Sequence, residues 1–180
     1  TFPQQTYDPG MLRQKILTKS VDLKSAYKQL AIHPLEKTRS VICIKDPKSD
    51  EVFGFVSRTL PFGAAAAAVL AFNRVARLVW RILIEAGILC TNYFDDYLVL
   101  DFASAAGVTV HAVRSIMALL GFKCSVDKEM EFDEKTDMLG VCVDTTEVKD
   151  GTVLISNKPS RVKILGENIE EILKVGRIKG

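Results

Sequence analysis

The chain has 180 residues, 48% hydrophobic and 26% charged, with a formal net charge of +2. That balance suits one globular domain, or a domain with a piece of a second, and excludes a chain dominated by disorder. The charge is too small to argue for nucleic acid by itself, because it averages an acidic centre and basic surfaces.

Four widely spaced cysteines (Cys43, Cys90, Cys124 and Cys142) form no Cys-x-x-Cys and have no matching histidines. They fall within or beside apolar stretches and read as reduced core residues of an intracellular protein, in cytoplasm or nucleus. No signal peptide opens the chain, and Arg74 interrupts the longest apolar run well before membrane-spanning length, so no membrane partner is expected. The start at Thr1 and the basic stretch before Gly180 read as a fragment of something longer.

In chain order, 1–10 is polar, with two prolines and a Tyr-Asp-Pro-Gly turn signal, an extended lead-in. Ser20-Val21-Asp22-Leu23 closes a short strand. Lys24 to Ile32 reads as a short helix stopped by Pro34. Arg39 to Lys45 and Val52 to Thr59 alternate apolar and polar residues around a turn cluster at 46–50, a β-hairpin. After Leu60-Pro61-Phe62-Gly63 and five alanines, a long helix runs to about Ala86 with Gly87 as its cap. Its polar positions leave Leu70, Phe72, Val75, Leu78, Val79 and Ile82 for burial. Arg74, Arg77 and Arg81 are either the wet face of that helix or a stripe that tracks a nucleic-acid backbone.

Next come apolar runs on either side of Tyr93-Phe94-Asp95-Asp96, then a helix from about Ser104 to Leu120 ending at Gly121. Lys123 to Asp127, Asp137 to Asp144 and Thr152 to Ser156 read as strands, and an amphipathic helix follows from about Pro159 to Lys174. The order suggests an α+β domain in which helices back a mostly antiparallel, ferredoxin-like sheet. If the strand ending at Asp22 pairs with the Asp-Asp hairpin, three carboxylates converge.

Two adjacent acids at a tight turn repel at about the closest spacing a backbone permits. The pair reads either as an exposed turn or as a site where a divalent cation offsets the repulsion.

Several ordered motifs decide between these. Val21-Asp22-Leu23-Lys24-Ser25-Ala26-Tyr27, with an aromatic five residues after the acid, resembles the first palm motif of reverse transcriptases. Leu60-Pro61-Phe62-Gly63 resembles the second, Tyr93-Phe94-Asp95-Asp96 the third, Leu120-Gly121-Phe122 with Lys128 the fourth, and Met138-Leu139-Gly140 the fifth, the primer grip. The resemblance spans roughly residues 16 to 144 and is closer to retrotransposon enzymes than to retroviral ones.

It implies a polymerase palm with partial fingers over 1–157 (fingers hairpin about 39–60) and the start of a thumb over 158–180. The implied activity is RNA-directed DNA polymerisation, with RNA or DNA template, primer and deoxynucleoside triphosphates as partners. Two Mg²⁺ (or Mn²⁺) ions about 3.5–4 Å apart would serve it. By the family pattern Asp22 and Asp95 hold the metals with the Leu23 carbonyl, and Asp96 contributes less directly. Amides of Ser25 and Ala26, at a helix start, meet the triphosphate. Tyr27 collides with a ribose 2′-hydroxyl, and Phe62 and Gly63 flank the same pocket, the glycine for close backbone approach. Lys128 is either a general acid for the leaving pyrophosphate or a solvated lysine. Lys24 and Lys28 read as solvated or as added charge for the phosphates.

Two departures matter. The alanine run Ala64–Ala68 replaces a more varied, often basic stretch, and the family's basic fingers residues, which normally precede the first motif by some tens of residues, are not all expected within this sequence, with Lys15 and Lys19 too near the strand to replace them. They leave a rival reading, a decayed or domesticated palm that binds nucleic acid without polymerising. An RNA-dependent RNA polymerase is disfavoured by Tyr27.

Overall fold

The computed structural model describes residues 14–63, 71–125 and 130–175. The lead-in at 1–10, the alanine run and Lys128 fall outside them.

The elements are β1 (Ile16–Asp22), β2 (Val41–Lys45), β3 (Val52–Val56), α1 (Asn73–Glu85), β4 (Cys90–Tyr93), β5 (Asp96–Phe102), α2 (Ala106–Leu119), β6 (Lys135–Met138), β7 (Val141–Asp144), β8 (Leu154–Asn157) and α3 (Pro159–Val175). Three sheets form, in the orders β1-β5-β4, β2-β3 and β6-β7-β8. The pairs β2/β3, β6/β7 and β7/β8 are antiparallel. The protein is therefore α+β with antiparallel sheets. Among the described residues no helix is long and apolar enough to cross a membrane.

The described residues divide into two units, one built from 14–20, 98–109 and 130–175, the other from 21–63, 71–97 and 110–125. In the first, Leu98, Met138 and Val143 form a buried cluster with Leu100 packed against it. Buried threonines fasten β1 here. Thr136 Oγ1 donates to the Thr18 carbonyl at 2.8 Å, and Thr145 Oγ1 to the Ile16 carbonyl at 2.6 Å. A buried hydroxyl with a partner escapes the desolvation cost that an unpaired one carries. Lys15 pairs with Glu134 at 3.0 Å. Lys19 is 1% exposed, its ammonium 6.0 Å from the Phe132 ring centroid. Every described residue of β8 and α3 is exposed.

In the second unit α1 buries Phe72 just before its first turn, then Ala76, Val79 and Leu83, a stripe at helical spacing. Leu78, expected inside, falls off this stripe and is 60% exposed. Helices α1 and α2 end as their glycines predict. Gly87 (φ 82) donates to Ile84 and Ile88 donates to Leu83; Gly121 (φ 83) donates to Ala118 and Phe122 to Met117. These paired bonds satisfy the last carbonyls in a left-handed cap. Tyr97 is fully buried and its hydroxyl donates to the Ala76 carbonyl at 3.0 Å. Burial pushes the Cys90 thiol up to about 11, which leaves it inert. Cys43, by contrast, is exposed on β2, and Cys124 and Cys142 are partly exposed, so only Cys90 behaves as the expected core thiol.

Two sequence expectations are corrected. The segment 24–32 is no regular helix: it holds one 3₁₀ turn, Ala26–Gln29, after which the chain is extended. Longer-range partners win there, because Ile32 donates to Arg58 and Leu60 to Leu30. The single strand expected over 137–144 is a hairpin, β6–β7, reversed at Leu139–Gly140.

Candidate active site

β1 ends at Asp22, and the next residues are held by the strand-like segment after α2. Ser125 donates to the Asp22 carbonyl at 2.8 Å, Lys24 donates to Lys123 at 2.9 Å, and Leu23 bridges Cys124. Gln29 locks this junction with its whole amide, donating to the carbonyls of Lys24 (2.8 Å) and Lys123 (2.9 Å) and accepting from the Lys123 N–H (2.7 Å). Ser25 takes a left-handed conformation, φ 52 and ψ 43, which turns the chain sharply from strand into the 3₁₀ turn. A serine there is strained, and such strain persists where the surroundings over-determine it.

That turn presents Tyr27 between two other aromatics. Its ring lies 4.6 Å from Phe72, tilted 31°, and meets Phe62 edge-on at 5.5 Å and 85°. Such pairs add to simple burial and fix ring orientation. Phe72 is fully buried and anchors the stack, whereas Phe62 is 89% exposed and forms its outer wall. Burial first, then the negative charge of Asp95 and the Tyr93 hydroxyl, raise the Tyr27 pKa.

Asp95 arrives on the turn between β4 and β5. Phe94, just before it, has φ 51, and its carbonyl accepts from Asn92 Nδ2 at 2.9 Å. A cavity of about 410 Å³ results. Asp22 and Leu23 line it from the end of β1, Ser25 to Lys28 from the 3₁₀ turn, and Phe62 and Asp95 from two further segments.

Of the nominated residues, Asp22, Leu23, Ser25, Ala26, Tyr27, Phe62 and Asp95 therefore share one cavity. Asp96 opens β5, half-buried, and does not line it, so two carboxylates line the cavity where three were expected to converge. Gly63 lies beside Phe62 with φ 87, and a Cβ there would meet nothing within 4 Å. Among the described residues its conformation, not a close approach, calls for glycine. The sequence places the amides of Ser25 and Ala26 at the start of a short helix over 24–32. A four-residue 3₁₀ turn supplies no macrodipole of that kind. Met138, Leu139 and Gly140 belong to the other unit, where Met138 is buried and Leu139 and Gly140 form the β6–β7 turn. Lys28 contributes to the lining though the sequence favours a solvated role, and nothing in the sequence singles out Gln29, whose partner lies 94 residues away.

Among the described residues no group of three or more His, Cys, Asp or Glu side chains is placed to hold a metal ion. Two carboxylates in one cavity nevertheless fit a hard cation such as Mg²⁺, which uses one or two carboxylates and takes its other oxygens from water and substrate phosphates. Neither protein-family models nor curated proteins give a match to the chain.

Proposed function

We propose that this cavity is the nucleotide site of an RNA-directed DNA polymerase, in a retroelement polyprotein acting inside the cell. In this reading the β1-β5-β4 sheet is the palm, β2–β3 a fingers hairpin and α3 the start of a thumb. The observation that carries it is that Asp22, Asp95, Tyr27 and Phe62, from three distant stretches of sequence, line one cavity.

Asp22 and Asp95, with the Leu23 carbonyl, would hold the divalent ions. Bound there, two such ions stabilise the attacking and leaving oxygens of phosphoryl transfer. The remaining work falls to the chain itself. Lys28 places positive charge on the lining, where a triphosphate is attracted. Tyr27, braced by Phe72 behind and Phe62 at its edge, is a rigid wall rather than a mobile side chain. A wall of that kind rejects a ribose 2′-hydroxyl by collision, so deoxynucleotides are selected.

Primer extension on an RNA template, with deoxy- and ribonucleotides in parallel, tests the proposal. Asp95→Asn should lower extension about a thousandfold or more, the loss of several kcal/mol of charge stabilisation, with its melting temperature little changed. Tyr27→Ala should raise ribonucleotide use relative to deoxynucleotide use by about 10–200-fold, the range for one altered steric contact. Unchanged extension by Asp95→Asn would overturn the reading. Salt-sensitive duplex binding with no incorporation by the wild type would replace it with the non-polymerising palm.

A further inference from the structure

A second cavity, of about 350 Å³, lies in the same unit and shares no lining residue with the first. Asn73, Arg77 and Trp80 line it from α1, and residues 91–94 from β4 and its turn. The three α1 residues are spaced by four and three, so they share one face of the helix. Arg77 is thus set apart from Arg74 and Arg81, the latter paired with Glu85 one turn on.

The cavity is built from fixed parts. The Trp80 indole N–H donates to the Cys90 carbonyl at 2.8 Å, which satisfies its single donor and leaves the ring as an apolar surface. Tyr93 and Phe94 meet edge-on, 5.0 Å apart at 77°, and Tyr93 is 56% exposed. Asn92 spends one amide hydrogen on the Phe94 carbonyl and keeps its own carbonyl oxygen for another partner. The described lining thus has three aromatic rings, two side-chain amides, a threonine and one guanidinium, and includes no carboxylate.

Those groups define a ligand class. Aromatic rings stack on nucleobases, amides pair with base edges, and a guanidinium pairs with phosphate. The volume is at the small end of ligand sites, suited to one nucleotide and too small for a duplex. We infer that this cavity is a second nucleotide site, which takes one unpaired nucleotide with its base against the aromatic wall and its phosphate on Arg77. The inference does not rest on the polymerase reading, and the two can fail separately.

Trp80 is the only tryptophan in the chain, so its fluorescence reports on this cavity directly. Titration with 2′-deoxyadenosine 5′-monophosphate should quench it saturably, whereas 2-deoxyribose 5-phosphate, which lacks the base, should not. Arg77 is exposed, so Arg77→Ala leaves the core untouched and should weaken the mononucleotide about tenfold, with Arg77→Lys recovering part of the loss. Asn73→Ala should weaken it less. A short oligodeoxyadenylate that binds tighter than the mononucleotide assigns the site to an unpaired base within a strand; equal binding assigns it to free nucleotide. Quenching should persist in Asp95→Asn even where extension is lost. Absence of quenching, quenching indifferent to Arg77→Ala, or quenching abolished by Tyr27→Ala, which places the ligand in the first cavity, would each overturn the inference.

Discussion

Two hairpins in this chain reverse within two residues, Phe94–Asp95 between β4 and β5 and Leu139–Gly140 between β6 and β7. Both put a bulky residue first, in the left-handed region, with φ 51 at Phe94 and φ 52 at Leu139. They part at the second position. Gly140 also has a positive φ, 85, so both central residues of that turn match the geometry that follows strand twist, and only Leu139 is strained. In the other turn only the first central residue, Phe94, has a positive φ, the pattern in which a two-residue hairpin favours glycine at that first position. Hairpin closure alone accounts for the Leu139–Gly140 turn. At Phe94–Asp95 it accounts for the direction of the backbone but not for a bulky aromatic in the place of glycine, just before a carboxylate on a cavity wall.

The largest effect that separates the two is the one proposed for Asp95→Asn, loss of extension at little cost in stability. Gly140→Ala should do the reverse and cost stability, by about 1–2 kcal/mol, because alanine has no easy access to φ 85. The Arg161 guanidinium lies where the new Cβ would go, but it ends a flexible side chain and can swing aside. The penalty should therefore be the same in an Arg161→Ala background, within about 0.5 kcal/mol by chemical denaturation. A penalty that vanishes there would move the cause from backbone strain to the arginine contact.

Much of this was legible in the sequence wherever the signal was local. Gly87 and Gly121 follow runs of helical periodicity and cap α1 and α2 as expected, and the strand before Asp22 and the hairpin at Asp95 form where apolar runs flank acids. Leu139 carries no turn signal of its own, so β6 and β7 read as one strand. The helix expected from Lys24 gave way to partners at Arg58, Leu60 and Lys123, which propensity over nine residues cannot reveal. Motif order anticipated Asp22, Tyr27, Phe62 and Asp95 as cavity residues. It was blind to the second cavity, where Asn73, Trp80 and Thr91 are each unremarkable until α1 and β4 bring them together.

A smaller effect sharpens the contrast between the turns. Leu139→Asn creates Asn-Gly, the pair that two-residue hairpins favour, at a half-exposed position. It should stabilise by about 1 kcal/mol, since asparagine tolerates the left-handed region. Phe94→Asn relieves the same strain but forfeits the edge contact with Tyr93, worth about 0.5–1.5 kcal/mol, so its net change should be near zero. Equal gains at both sites would mean that the Phe94 ring contributes nothing to its turn.

The weakest effect concerns how each hairpin treats its acid. On β7 Asp144 faces Lys135 across the strand pair, 2.9 Å from its ammonium, and Thr146 donates to it from both N–H and hydroxyl. Lys135 first, then Thr146, hold the Asp144 carboxyl down to about 2, against 3.8 for an unperturbed aspartate. A carboxyl depressed by folding contributes stability above its unfolded value and loses it as pH falls toward the folded value. The window is therefore about pH 4 down to about pH 2. The Lys135 side chain is 59% exposed, although that of Asp144 is only 13% exposed, so salt reaches the pair from the ammonium side and the contribution is small. Melting temperatures of wild type and Lys135→Met should differ slightly at pH 6 in low salt and converge as pH drops through that window. A difference that persists unchanged at pH 2 would mean that Lys135 acts through the packing of its stem, and that the charge on Asp144 contributes nothing to closing this hairpin.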